Sequence, residues 1–232
     1  MSSNRVKERM KEIFKQYVDL LADVDHWFAS CSALFGNKVY CKYGCSECCH
    51  GLHDITLLDA AYLRSGFESL PQLYQQALHH NACSRLVDLQ KIIPKLSSPY
   101  ILNYYPEDER DRLIAEETET HCILLGYDGN CLLYDYRPLT CRLHGLPLID
   151  NSGAVIDDSW CTLNFPGQNP LILAELRGNF AELFRRKTIL LDEFNMLVTG
   201  IPTTQLWTLI PAALVIDFSA HYNGFRRLSY PH

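Results

Sequence analysis

From Arg5 to Phe35, apolar residues recur at Val6, Met10, Ile13, Tyr17, Leu20 or Leu21, Val24, Trp27 or Phe28, Cys31 and Leu34 or Phe35. Steps of three and four over this length predict a long amphipathic helix occupying residues 1–36, stopped by Gly36-Asn37. Its apolar stripe either packs on the same chain or, because the spacing is close to a heptad, makes a seam with a second copy. Cys31 lies on that stripe and reads as a buried hydrophobe. Beyond an irregular stretch from Cys41 to His53, Thr56 is placed to cap a short helix through Arg64, ended by Gly66. Another helix is expected from about Pro71 to Leu89, with Pro in its first turn and Cys83 packed in its core. Pro94 through Pro106 reads as a connector. Pro106-Glu107-Asp108-Glu109 then opens a charged helix whose first-turn acids suit the helix dipole.

The pattern next changes to short apolar runs. Cys122-Ile123-Leu124-Leu125 and Cys131-Leu132-Leu133-Tyr134 flank Asp128-Gly129-Asn130, which predicts a β-hairpin. Leu146 to Asp158 predicts a second strand pair around Asn151-Ser152-Gly153. Helical spacing returns from Pro170 to Leu191, with Glu175, Arg177, Glu182, Arg185 and Arg186 on the polar face. Gly200-Ile201-Pro202 breaks it, and Thr203 or Thr204 is placed to cap a final, largely apolar helix through about His221. The expected fold is α-rich α+β, with helices at both ends around a small cysteine-rich, metal-held centre with one or two β-hairpins. Three regions follow: the N-terminal helix at 1–36, a cysteine-cluster metal-binding region at 37–165, and a C-terminal helical region at 166–232 packing on it in one compact domain.

Composition narrows the function classes. The chain has 232 residues, 47% hydrophobic and 21% charged, which suits a globular protein with a sizeable core. A formal charge of -6 with mixed signs along the chain argues against a nucleic-acid binder, which normally shows a basic stripe. No apolar run approaches the roughly 18 residues that span a bilayer. The N-terminus carries no apolar signal region, so a reducing cytoplasmic setting is expected. That setting decides how the 10 cysteines are read. In a reducing compartment they point to metal ligation or redox chemistry, with disulfides as the alternative.

Eight of them form two groups. Cys41, Cys45, Cys48 and Cys49 make a C-x3-C-x2-C-C cluster, and Cys122, Cys131, Cys141 and Cys161 are spread over forty residues. Thiolates two or three residues apart on an irregular loop can converge on one ion. Zinc takes four such ligands at tetrahedral corners, and an iron–sulfur cubane also takes four. Side chains of adjacent residues usually point apart, so Cys48 and Cys49 suit two metals, or one ligand beside one redox-active or buried thiol. Eight thiolates suit two four-coordinate ions, or a cluster plus an ion, with the first group supplying part of a site and the second completing it. Imidazoles can replace thiolates, which brings in His50, His53 and His144. Arg137 and Arg142 could offset the negative charge of such a site, or form ordinary salt bridges.

These motifs carry a family resemblance. Cys41-x3-Cys45-x2-Cys48-Cys49, followed by Cys131, Tyr134, Arg137, Pro138, Cys141 and Arg142 in a C-x-x-Y-x-x-R-P-x-x-C-R stretch, resembles the CxxCxxCC cysteine-cluster family. Its members are described as zinc- or iron-chelating proteins. The resemblance covers about Cys41 to Cys161, where Cys122 and Cys161 also fit. It departs in the longer first spacing and in Leu143-His144-Gly145, which stand where the family has an aromatic residue and a proline. It implies metal binding, by zinc, iron or an iron–sulfur cluster. It also extends to the N-terminal part of a flagellin lysine N-methylase, which brings in a metal- or cluster-dependent protein-modifying enzyme as an alternative. A redox or electron-transfer module using Cys48-Cys49 is a third reading. No Gly-rich nucleotide loop, Ser/His/Asp set or paired carboxylates stand out. Expected partners are metal ions, another protein, and a second copy through the N-terminal helix.

Overall fold

A computed structural model describes residues 3–116, 119–200, 203 and 206–218. The fold is helix-rich with two small sheets, an α-rich α+β arrangement. Among the described residues no helix is long and apolar enough to cross a membrane. The chain divides into two compact units. The first comprises Met1–Cys48, Asp128–Asn130 and Leu139–Leu190; the second comprises Cys49–Tyr127, Cys131–Pro138 and Leu191–His232.

The first unit opens with helix α1 (Ser3–Phe35). Val6, Ile13, Tyr17, Leu20, Leu21, Val24 and Cys31 are all buried, so this stripe is covered by the chain itself. Gly36 stops the helix at φ +54°, a left-handed conformation that glycine adopts without steric cost. The unit's short sheet pairs β2 (Leu148–Asp150) antiparallel with β3 (Val155–Asp157), the expected hairpin about Asn151-Ser152-Gly153, and parallel with β4 (Arg177–Gly178). The short helix α5 (Leu139–Leu143) packs on α1. A buried cluster of Cys31, Val39, Leu146, Ile149, Phe165 and Leu176 fills the space below, flanked by Trp27, Phe28, Phe35, Cys41 and Leu173.

The segment after Asn169 differs from expectation. Two single 3-10 turns (Pro170–Ile172 and Ala174–Leu176) and strand β4 precede helix α6 (Phe180–Thr199). The physical reasons are local. Asn169 caps the first turn through Leu171 N–H, and the backbone of Arg177 and Gly178 is drawn into register with Ile149 and Asp150. The close approach of Phe180 and Trp27 to Gly178 leaves no room for a Cβ there. Helix α6 ends at Gly200, with φ +76°.

In the second unit, Thr56 caps helix α2 (Leu57–Ser69) through a reciprocal capping box with Asp59. The helix does not stop at Gly66 but runs through it. The aromatic ring of Tyr136 lies against the Gly66 Cα, where a Cβ would come within 2.3 Å of ring carbon. Gly66 is thus a packing glycine. Helix α3 (Gln72–Leu89) follows Pro71 as expected, burying Leu78, Ala82, Leu86 and Leu89. Cys83 is exposed, not core: it sits one position past Ala82, about 100° off that buried stripe. Helix α4 (Glu107–Glu116) is the expected charged helix.

The C-terminal region departs most from the sequence reading. In place of a helix from Thr203 or Thr204, Trp207–Leu209 form strand β5, antiparallel to β1 (Asp54–Thr56). The Thr208 hydroxyl donates to Tyr100 O and the Trp207 N–H to Asn103, which fixes an extended backbone. Among the described residues after Gly200, only Ile210–Ala213 is helical (α7), begun by Pro211 in its first turn and packed on α2 and α3. Thr204, Ile201, Pro202 and the stretch to His221 lie outside the described residues beyond Phe218, Thr203 excepted.

The expected hairpin of Cys122 to Tyr134 is present only as a single antiparallel bridge, Leu125 to Cys131, with Leu132 N–H donating to Leu124 O. Each arm turns back on itself: Leu125 N–H bonds Cys122 O, and Tyr134–Tyr136 close a 3-10 turn. Local turns therefore claim the backbone groups that longer strands would have paired.

Candidate metal centre

The segment Lys38–Cys41 runs beside Cys161–Phe165 in the first unit. Phe165 N–H donates to Lys38 O (2.7 Å), and Tyr40 N–H donates to the Asn164 side-chain oxygen (2.7 Å). Phe165 holds a left-handed backbone, φ +52°, while its buried ring meets Phe35 edge-on. A left-handed conformation costs a non-glycine residue about 1–2 kcal/mol, so the packing of that ring must outweigh it. Cys161 N–H donates to Gly145 O, and Asn164 N–H turns back onto Cys161 O. Three stretches of chain distant in sequence are tied here by short backbone contacts.

Asn164 joins them. It is almost fully buried, and its amide group donates both to Gly145 O (2.6 Å) and to the Cys41 sulfur (3.2 Å). A Cβ on Gly145 would sit 2.8 Å from that sulfur, and Gly145 adopts φ +111°, so glycine serves both the backbone and the close approach. After Cys41 the chain makes a β-turn in which Cys45 N–H donates to Lys42 O, with Gly44 at φ +86°.

The thiols of Cys161, Cys45 and Cys48 are electrostatic neighbours of Cys41. The Cys41 thiol is pushed up from 9.0 to about 11, first by burial; the Asn164 hydrogen bond opposes this, and charge on Cys161, Cys45 and Cys48 adds to it. Four thiols thus share one neighbourhood. Beside the loop, the Asn130 side-chain oxygen is buried without a hydrogen-bond partner, 3.2 Å from where a Gly44 Cβ would lie. Among the described residues, no three Cys, His, Asp or Glu side chains are gathered tightly enough to grip an ion as they stand.

The remaining candidates are placed differently. Cys141 is half-buried on α5. Its neighbour Arg142 is buried and pairs with Asp25 of α1, which is the salt-bridge reading of that arginine. His144 is exposed, and it is Gly145 that reaches Cys41. The boundary between the units falls at the Cys48–Cys49 bond. Within the second unit, Cys122 N–H donates to Cys49 O (2.8 Å), which sets those two cysteines opposite one another on adjacent segments. Cys131 is raised by burial, opposed by a backbone hydrogen bond at Leu133 and by the positive charge of Arg137. Arg137 itself lies over the Tyr134 ring, 3.6 Å from its centre, and its Nε donates to Tyr134 O. All ten cysteines stand as thiols.

Sequence reasoning did not single out Asn164, nor Gly145 as the residue in contact. The available signal was slight: a polar residue between Leu163 and Phe165, three positions after a candidate ligand. Comparison with protein-family models, curated proteins and solved structures finds no match to this chain.

Proposed function

We propose that this chain is a metal-binding protein that holds zinc or iron, the latter as an ion or an iron–sulfur cluster, through Cys41, Cys45, Cys48 and Cys161. What carries the reading is that Cys41, Cys45, Cys48 and Cys161 lie in one compact unit, where Asn164 ties the Cys41 segment to the Gly145 and Cys161 segments. Four sulfurs are the donor set of a closed zinc site and equally of a cubane. An asparagine N–H aimed at one of them offers the hydrogen bond that a charged, metal-bound sulfur attracts most strongly. The ion supplies the positive charge that holds four sulfurs as thiolates together. Loop residues Lys42, Tyr43 and Gly44 are exposed and belong to no strand ladder, so closing the loop around an ion breaks no sheet pairing.

Metal and acid-labile sulfide, measured with an absorption spectrum on protein purified without oxygen or metal-affinity resin, test this. Zinc without visible colour supports a structural or metal-presenting role. Iron with sulfide supports a cluster and favours electron transfer or cluster-dependent chemistry. Protein that arrives metal-free, and stays so after anaerobic incubation with either metal, overturns the proposal.

A further inference from the structure

The second unit brings two histidines together. Gly51 N–H donates to Thr120 O (2.8 Å) and Cys122 N–H to Cys49 O (2.8 Å), so His50 and His121 face each other as an antiparallel pair between those two bonds. That is the non-hydrogen-bonded kind of pair, in which opposite side chains come closest. The two imidazoles lie 4.4 Å apart between ring centres and are tilted by 53° instead of stacked. His121 is exposed and His50 half-buried, which leaves the pair open to solvent. By the alternation of an extended chain, Cys49 and Cys122 project to the opposite side of this pair.

We infer that His50 and His121 form a binding site for a divalent transition ion of the nickel, copper or zinc kind, distinct from the thiol set. Imidazole is a preferred ligand of these ions, and nickel and copper accept nitrogen ligands at right angles. With metal–nitrogen bonds of about 2.0–2.1 Å, two imidazoles sharing one ion hold their ring centres about 4.5–5 Å apart, within about 1 Å of the separation seen. The backbone pairing holds both rings on one side before any ion arrives, so little freedom is lost on binding. Two protein ligands leave further positions for water or for a donor from another molecule.

Titration of tag-free wild-type protein with nickel alone, followed by calorimetry and by paramagnetic broadening of histidine proton signals, tests the inference. The nickel taken up at this site is expected to broaden His50 and His121 selectively. Loss of an outer partner of a metal ligand costs about 10–100-fold in affinity, so His121→Gln and His50→Gln are each expected to weaken nickel binding at least tenfold. His121 is exposed and its substitution leaves packing intact, so that variant decides the matter if His50→Gln fails to fold. Cys161→Ser is expected to keep the nickel site, which separates this inference from the fate of the thiol reading. Nickel binding to His121→Gln as tight as to wild type overturns it.

Discussion

Asn164 makes three side-chain hydrogen bonds beside the cysteine loop. It accepts from Tyr40 N–H and donates to Gly145 O and Cys41 sulfur, while being almost completely buried. Asn164→Leu keeps the approximate volume and removes all three bonds. Tyr40 N–H then loses its acceptor, while Gly145 O keeps the Cys161 N–H, and an unsatisfied buried polar group costs about 1–3 kcal/mol. The expected outcome in urea unfolding is a loss of about 1–3 kcal/mol, together with weaker metal retention. Asn164→Leu at wild-type stability would show that the three contacts are not made in solution. Composition and spacing could not reveal this residue, because its role depends on Cys41, Gly145 and Tyr40 arriving from elsewhere in the chain. Cys31 is the opposite case: its place on the apolar stripe was legible, and it is buried. Burial pushes its thiol from 9.0 up to about 11. The unfolded chain therefore loses this proton first, and stability falls as pH rises from about 9 to about 11, then levels. Chemical unfolding at a series of alkaline pH values checks this, and Cys31→Ala is expected to flatten the slope.

At the scale of elements, sequence was most informative where one local signal acted alone. The period of α1, the capping box of α2, Pro71 before α3 and the turn between β2 and β3 need no distant partner. It failed where a distant contact overrode the local preference. Trp207–Leu209 carry residues equally at home in a buried helix, yet pair with Asp54–Thr56. Gly66 resembles a helix stop but lies beneath Tyr136, whose ring also packs 5.1 Å from Tyr62. The two explanations of Gly66 predict opposite signs. Were it only a flexible helix residue, Gly66→Ala would raise stability by about 1 kcal/mol through helix propensity. As a packing glycine, the same substitution is expected to lower stability by about 1–3 kcal/mol through overpacking against the ring. A thermal or urea melt distinguishes them.

At the scale of the whole molecule, each of the two compact units holds cysteines from both groups of the sequence. The division falls within the vicinal pair, leaving Cys48 in the unit that holds Cys41, Cys45 and Cys161, and Cys49 in the unit that holds Cys122 and Cys131. Neighbouring side chains point apart, which is why chemistry alone suggests that Cys48 and Cys49 serve two metals, or one ligand beside one redox-active or buried thiol. Which distant cysteine each would meet was not legible, since the spacings of Cys122, Cys131, Cys141 and Cys161 are wide and equivalent on paper. The account rests on Cys161, the distant thiol whose charge bears on Cys41. Metal content per chain, measured side by side on wild type, Cys161→Ser and the exposed-thiol control Cys83→Ser, is the most direct test. The account predicts that Cys83→Ser retains the wild-type complement and that Cys161→Ser loses the ion held by the four thiols; a folded Cys161→Ser that retains its full complement would contradict it.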